Sequence, residues 1–169
     1  MKMEGVEPTL SPSMDIQISS NFERLIFESA GRDAEAVNRM MAALKQSRGF
    51  DLPERSISTI RQDFDAGTTD ETATRRVIAE TLAGSGYLLD PHTAVGLGVA
   101  LAMPASTVPM ITLGTAHPAK FPVAVAAATG TQPQLPTWLA DLFDRPERLT
   151  VLANDQREIE DFIAARSRA

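Results

Sequence analysis

The segment Thr112-Leu113-Gly114-Thr115-Ala116-His117-Pro118 contains the residue types best suited to ligand chemistry in this sequence. It joins an apolar run, which predicts a buried strand, to a predicted helix. Ligands of α/β proteins bind at the carboxyl ends of such strands. The Thr115 hydroxyl can donate a hydrogen bond to a ligand ring nitrogen or accept one from it. The plainer interpretation, which residue type alone favours, is that Thr115 caps the following helix.

The two histidines, His92 and His117, each lie beside a proline at a predicted helix start. A metal site would need several His, Asp or Glu ligands at matched spacing, and the sequence has no such pattern. It also lacks the Gly-x-Ser-x-Gly element of a hydrolase nucleophile. Residue type therefore favours capping and packing roles for both histidines, with catalysis as the alternative.

The composition limits the possible function classes. The 169 residues carry a net charge of −6, which argues against a nucleic-acid surface. The absence of cysteine excludes disulfides and thiol catalysis, and it favours a cytoplasmic setting. No apolar run reaches the roughly 18 residues that span a bilayer, and the first residues do not follow a signal-peptide pattern. We therefore expect a soluble, acidic protein with neither nucleic acid nor membrane as a partner.

Helix caps and apolar spacing define the elements that must position these residues. Ser20-Asn21-Phe22-Glu23 predicts a capping box that begins a first helix, and Asp33 caps a second. Asp90-Pro91 predicts the start of an apolar, buried helix that ends before Pro104. Further helices are predicted after the caps at residues 68–71 and 155–158, through residues 125–128, and, as a short segment, around Trp138.

The predicted strands are few. They lie at residues 108–113, where a β-branched run suggests burial on both faces, and near residues 149–152. We therefore predict an α/β fold that is rich in helices and whose parallel sheet is incomplete. The proline-containing stretch 131–136 reads as a linker, so the predicted domains are residues 1–130 and residues 131–169.

Three motifs resemble those of the threonine synthase family. The first is Pro8-Thr9-Leu10-Ser11-Pro12-Ser13-Met14-Asp15-Ile16 with Ser19-Ser20-Asn21-Phe22-Glu23-Arg24-Leu25, which is similar to the stretch after that family's cofactor phosphate loop. The second is Asp90-Pro91-His92-Thr93-Ala94, similar to its Asp/Glu-Pro-His motif. The third is Gly114-Thr115-Ala116-His117-Pro118-Ala119-Lys120-Phe121, which resembles its terminal signature. The motifs occur in family order, and the resemblance covers nearly all residues from Val6 onward.

The resemblance implies fold type II of the pyridoxal-phosphate enzymes and the conversion of O-phosphohomoserine and water into threonine and phosphate. It makes residues 1–130 the C-terminal part of the catalytic fold and residues 131–169 a strand-helix extension. Thr115 is the expected contact to the cofactor's pyridine nitrogen, which a neutral hydroxyl would leave largely unprotonated. Asn21, Arg24, His117 and Lys120 are expected near the substrate, with a solvated helix face as the alternative for Asn21 and Arg24.

The sequence lacks two features on which the family's chemistry depends. The lysine that forms the Schiff base and the glycine-rich phosphate loop both lie upstream in the family, and neither has a counterpart among these residues. The lysines present are Lys2, Lys45 and Lys120, and none is in the required position. We therefore predict that this chain carries no catalytic residue and that the chain alone does not bind pyridoxal 5'-phosphate stably. The isolated chain should be inactive.

The expected partner is an N-terminal part of the same enzyme, and apolar surface that this part would cover is expected to cause self-association. Two alternatives stay open from the residues. One is a non-catalytic binding or regulatory module derived from the same fold. The other is a self-contained enzyme that uses Lys120, which the lack of an anion-binding glycine loop disfavours.

Overall fold

The computed structural model describes residues 1–167 as a predominantly helical chain. The α-helices in these residues are α1 (Ser20–Ser29), α2 (Ala34–Ser47), α3 (Glu54–Asp63), α4 (Glu71–Ser85), α5 (Pro91–Ala102), α6 (Pro122–Thr129) and α7 (Gln156–Arg166). Short 3-10 turns occur at Pro12–Met14, Pro118–Lys120, Thr137–Leu139 and Leu142–Asp144. No helix within residues 1–167 is both long enough and apolar enough to cross a membrane.

Acidic and hydroxyl N-caps begin most of the α-helices, as the sequence predicts. Asp33, Asp70 and Asp155 each accept a backbone N–H from the first turn of the helix that follows. The predicted capping box at α1 is wrong by one residue, because Ser19, and not Ser20, supplies the capping oxygen to the Phe22 amide. Ser19 and Ser20 are adjacent, so the local backbone conformation decides which of the two serines becomes the N-cap. The backbone is extended at Ser19, as an N-cap residue requires.

The core that supports the site lies between α4, α5 and α6. Its buried side chains and the partly buried ones around them are Val77, Ile78, Leu88, Leu89, Ala94, Leu97 and Ala128. Helix α5 packs closely enough for Gly98 to touch Thr69, whose hydroxyl donates to the Val95 carbonyl over 2.9 Å. A second group of helices forms where α1 packs against α2 and α3, burying Ile26, Val37 and Leu44.

The predicted strands do not form, and the α/β class with an incomplete sheet is not confirmed. Residues 108–113 and 149–152 lack regular secondary structure, and the described residues contain only one isolated bridge, between Lys2 and Gly49. A strand exists only when its backbone groups pair with a neighbour. The β-branched run at 108–113 has no such neighbour within residues 1–167, so it stays extended and unpaired.

The short helix predicted around Trp138 forms as two separate 3-10 turns and not as one helix. Residues 137–144 form two 3-10 turns, and the Trp138 side chain is exposed. Such turns do not propagate without packing on an apolar face. The chain divides into two compact units with a boundary between Gln134 and Leu135. The candidate site lies entirely in the first unit, and a domain boundary at residues 130 and 131 stays a prediction.

Candidate functional site

Thr115 lies in the turn that leads to Pro118–Lys120, and α5 holds it in place. The Thr115 amide donates to the Thr93 hydroxyl oxygen over 3.0 Å, and the two hydroxyl oxygens are 3.5 Å apart. Thr93 is buried at the start of α5, whereas Thr115 is exposed. The chain therefore fixes the Thr115 backbone while it leaves the hydroxyl accessible to a ligand.

Asp90, the N-cap of α5, holds Thr93. The exposed fraction of Asp90 is 1%, and both of its carboxylate oxygens are used. Oδ1 accepts the His92 and Thr93 amides at 2.9 and 3.4 Å, and Oδ2 accepts the Thr93 hydroxyl proton. Pro91 at the first helical position keeps this turn rigid, because its backbone torsion is already helical.

His92 links the same turn to the N-terminal segment. Its Nδ1 lies 3.1 Å from Asp90 Oδ1, and its Nε2 accepts the Ser13 amide over 3.1 Å. Because an amide N–H can only donate, Nε2 carries no proton, and the imidazole is the neutral tautomer that donates through Nδ1. The ring also stacks, tilted, against Phe121 with 4.6 Å between centroids. The imidazole therefore serves as a structural link, with both nitrogens engaged.

An open cavity of about 330 Å³ lies beside Thr115. Its walls are mostly apolar and come from α5 and the extended segment after it. The lining residues are Met14, His92, Gly96, Val99, Ala100, Met103, Met110, Ile111, Thr112, Leu113 and Thr115. The exposed hydroxyl of Thr115 and the apolar walls suit a flat, largely apolar ligand with one polar atom at its edge.

His117 and Lys120 follow Thr115 in sequence, but the described residues that line its cavity include neither. His117 caps Pro118–Lys120, with Nδ1 accepting the Ala119 amide over 3.2 Å, which agrees with the capping interpretation. The Lys120 side chain is exposed, and its Nζ lies 5.9 Å from the centre of the Phe121 ring. Their assignment as substrate-binding residues stays a prediction.

Asn21 and Arg24 are not brought to the Thr115 cavity. Both are exposed on α1, where they border a separate open cavity together with Phe22, Leu25 and Phe64. This position is compatible with a solvated helix face and equally with a surface that another segment covers. Their assignment as substrate-binding residues stays a prediction.

Sequence reasoning missed the hydrogen bonds that join Asp90 to Thr93 and Thr93 to Thr115. It identified the Asp90-Pro91-His92-Thr93-Ala94 motif and the N-cap, but it gave Thr93 no partner. The 22-residue separation between Thr93 and Thr115 hides their contact in the sequence. A threonine three residues after an N-cap aspartate is a weak signal that the threonine hydroxyl bonds to the aspartate and accepts a hydrogen bond from another segment. Among residues 1–167, no group of three or more His, Cys, Asp or Glu side chains could hold a metal ion.

Comparison with known proteins places these motifs in one family. The family model described as "Threonine synthase, C-terminal" matches residues 93–163, which include Thr93 and Thr115. A threonine synthase from Pseudomonas aeruginosa is 47% identical over 163 residues, which cover 95% of this chain and 35% of that protein.

Two crystal structures are similar to this chain. Pyridoxal-phosphate-bound threonine synthase from Brucella melitensis has a TM-score of 0.80 at 54% identity, covering 99% of this chain and 36% of that one. Threonine synthase from yeast has a TM-score of 0.75 at 30% identity, covering 96% and 37% respectively. The chain spans about a third of the length of these relatives, and it corresponds to their C-terminal region. This chain belongs to the threonine synthase family.

Proposed function

We propose that this chain is the C-terminal part of a pyridoxal-phosphate-dependent threonine synthase, which converts O-phosphohomoserine and water into threonine and phosphate. The observation that carries the proposal is the exposed Thr115 hydroxyl at the edge of an apolar cavity, in a turn that is fixed because the Thr115 amide donates to Thr93 Oγ1 over 3.0 Å. It is supported by 47% identity to the Pseudomonas aeruginosa enzyme across 95% of the chain.

The residues around Thr115 fit the nitrogen edge of pyridoxal 5'-phosphate. A pyridine nitrogen needs one hydrogen-bond partner in the ring plane and apolar surfaces on the ring faces. Thr115 offers the partner, and Gly96, Val99 and Met103 offer apolar surface. When bound, the cofactor supplies an electron sink that stabilises negative charge at the substrate carbons. The contribution of this chain is to orient the ring and to exclude water from one side of it.

The phosphorylated substrate requires positive charge and hydrogen-bond donors. Lys120 and His117 lie within five residues of Thr115, and both are exposed. Arg24 and Asn21 are exposed at the first turns of α1. We assign these four residues to substrate binding, because guanidinium, ammonium and amide groups are the usual partners of a phosphate ester. No residue of this chain is assigned a catalytic role.

The partner in this proposal is the N-terminal part of the same enzyme, which would supply the Schiff-base lysine and the phosphate loop. Residues 108–113 would pair there with strands of a fold type II sheet. Support comes from Val108, Ile111 and Leu113, whose exposed fractions are 72, 80 and 74% although the run is β-branched and apolar. The same surface would make the isolated chain self-associate. A cytoplasmic location belongs to the proposal, supported by the absence of cysteine.

The alternative of a non-catalytic binding or regulatory module is not favoured. The two crystal structures compared above are named as threonine synthases, and the similarity runs over 99 and 96% of this chain's residues. A self-contained enzyme that uses Lys120 is also disfavoured, because the Lys120 ammonium lies against Phe121 and outside the cavity that Thr115 lines.

A complementation assay tests this function. The chain is co-expressed with, or fused to, the upstream two-thirds of the Pseudomonas aeruginosa threonine synthase, and release of phosphate from O-phosphohomoserine is measured. We expect activity from the combined protein and none from either part alone. The matched control carries Thr115→Val in the same chain. A combined protein that folds and binds pyridoxal phosphate but releases no phosphate would overturn the proposed reaction.

A further inference from the structure

Residues 9–15, which we call the N-terminal loop, keep their shape through hydrogen bonds of their own. The Asp15 carboxylate accepts the Thr9 amide and the Thr9 hydroxyl, each over 2.7 Å. The 3-10 turn Pro12–Met14 lies between these two residues, and Ser11 is buried before it. The position of the loop on the helices therefore depends on the contacts that it makes outside itself.

Among the described residues, two side-chain hydrogen bonds join the N-terminal loop to the helices. The Leu10 amide donates to Glu71 Oε1 over 3.0 Å at the start of α4, and the Ser13 amide donates to His92 Nε2 over 3.1 Å at the start of α5. The Glu71 side chain is 40% exposed and the His92 side chain 6% exposed. Because water competes less for a buried acceptor, the His92 bond is the stronger of the two.

The N-terminal loop brings Met14 to the cavity beside Thr115. The other residues that line this cavity lie between His92 and Thr115 in the sequence, so Met14 is the one wall residue that a different part of the chain supplies. Met14 directly follows Ser13, whose amide His92 holds. A loss of that hydrogen bond therefore frees this wall of the cavity to move.

We propose that His92 is a positioning residue for the cofactor cavity, because its unprotonated Nε2 holds the Ser13 amide and thereby places Met14 as one wall. The inference rests on the proposed function, in which the cavity receives the ring of pyridoxal 5'-phosphate. Only the neutral imidazole can do this. A protonated ring carries N–H groups at both nitrogens, so Nε2–H would face the Ser13 N–H and the bond would be lost.

The charged groups around the imidazole act mainly on its other side. Asp90 Oδ1 lies 3.1 Å from Nδ1 and accepts its proton in both protonation states. In the N-terminal loop, the Asp15 carboxylate is engaged by Thr9. On the third side, Phe121 stacks on the imidazole, and Lys120 Nζ lies 5.9 Å from the centre of the Phe121 ring. Protonation of His92 therefore changes the contact at Nε2 and leaves the contact at Nδ1 in place.

Amide hydrogen exchange on this chain without cofactor tests the hydrogen bond itself. His92→Phe keeps a ring against Phe121 but removes the acceptor, whereas His92→Gln offers a neutral acceptor that does not titrate. We expect His92→Phe to speed exchange of the Ser13 amide about ten-fold beyond any change at α4 amides, and His92→Gln to stay within about three-fold of the unchanged chain. Equal acceleration at Ser13 and α4 would show a general loss of stability and would contradict a specific contact.

The pH dependence of cofactor binding tests the requirement for a neutral imidazole. The Kd for pyridoxal 5'-phosphate is measured in the holoenzyme that contains this chain, for the unchanged protein and for His92→Gln. From about pH 8 to about pH 5, we expect the Kd of the unchanged protein to rise about ten-fold more than that of His92→Gln. The ionisable groups of the cofactor titrate alike in both proteins, so they do not produce this difference. The same pH dependence in both would overturn the inference.

A double-mutant cycle with Met14→Ala tests whether His92 acts through Met14, because His92 also lines the cavity. We expect His92→Phe to raise the Kd about ten-fold in the unchanged protein but by less than about two-fold in Met14→Ala. Equal effects in the two backgrounds would show a direct contact and would overturn the positioning role.

Thr115→Val separates this inference from the proposed function. A Kd that Thr115→Val raises and His92→Phe leaves unchanged overturns the inference alone. A Kd that neither substitution changes overturns both the inference and the proposed cofactor contact.

Discussion

At the scale of single residues, one carboxylate performs two tasks. Asp90 caps α5 through Oδ1 and holds Thr93 through Oδ2. The cap could be predicted from Asp90-Pro91, because proline at the first helical position is a local signal. The second task could not be predicted, because it depends on a tertiary contact between Thr93 and Thr115, which are 22 residues apart. The motif singles out Thr115 as a candidate, whereas its partner Thr93 could not be predicted.

Removal of the Thr115 hydroxyl should weaken cofactor binding. In the holoenzyme that contains this chain, we expect Thr115→Val to raise the Kd for pyridoxal 5'-phosphate about ten-fold, the equivalent of one hydrogen bond of about 1.4 kcal/mol. Thr115→Ser is the matched control and should stay within about three-fold of the unchanged protein. Cofactor fluorescence titration measures both. Equal Kd values for the valine and serine variants would exclude the contact.

At the scale of elements, the predicted α1, α2, α4, α5, α6 and α7 form, whereas the two predicted strands do not form within residues 1–167. Helices α2, α4 and α5 carry their own caps and apolar stripes, so a short stretch of sequence contains the information. The segment at 108–113 has strand composition, but pairing depends on a neighbour that residues 1–167 do not provide. The cavity beside Thr115 was equally hidden, because its walls combine α5 with this extended segment.

The glycines of α5 offer a test of its packing. A Cβ at Gly98 would lie 2.6 Å from Thr69 Oγ1 and 2.7 Å from Thr69 Cγ2, whereas a Cβ at Gly96 would meet only Thr112 Cγ2 at 3.7 Å. Both Gly→Ala changes gain about 0.5–1 kcal/mol of helix propensity. We expect Gly96→Ala to be neutral or stabilising and Gly98→Ala to lower the free energy of unfolding by about 1–3 kcal/mol. Urea denaturation measures both, and an equal effect of the two would contradict this packing of α5 on Thr69.

At the scale of the whole molecule, an apolar surface of the first unit is exposed to solvent. Val108, Met110, Ile111 and Leu113 are all more than half exposed along one extended segment. Contiguous apolar surface of this kind marks an interaction site. We expect the upstream part of the proposed enzyme to cover this surface, and a second copy to cover it when the chain is isolated.

The isolated chain should therefore sediment as an oligomer. Charged side chains introduced into residues 108–113 should dissociate this oligomer. We expect Ile111→Lys with Leu113→Lys to shift the chain toward monomer in sedimentation velocity, because a buried lysine pair is costly in an apolar contact. Val151→Lys is the matched control, since Val151 is 85% exposed but belongs to the other unit. A monomeric unchanged chain, or equal dissociation by the control, would contradict the assignment of this surface.

The most direct test of the central claim is mass spectrometry after addition of pyridoxal 5'-phosphate and reduction with borohydride. The claim is that this chain orients the cofactor through Thr115 and that the covalent lysine comes from the upstream part. The account predicts no stoichiometric adduct on the chain alone, and one adduct on an upstream lysine when both parts are combined. A single stoichiometric adduct at Lys120 of the isolated chain would contradict it.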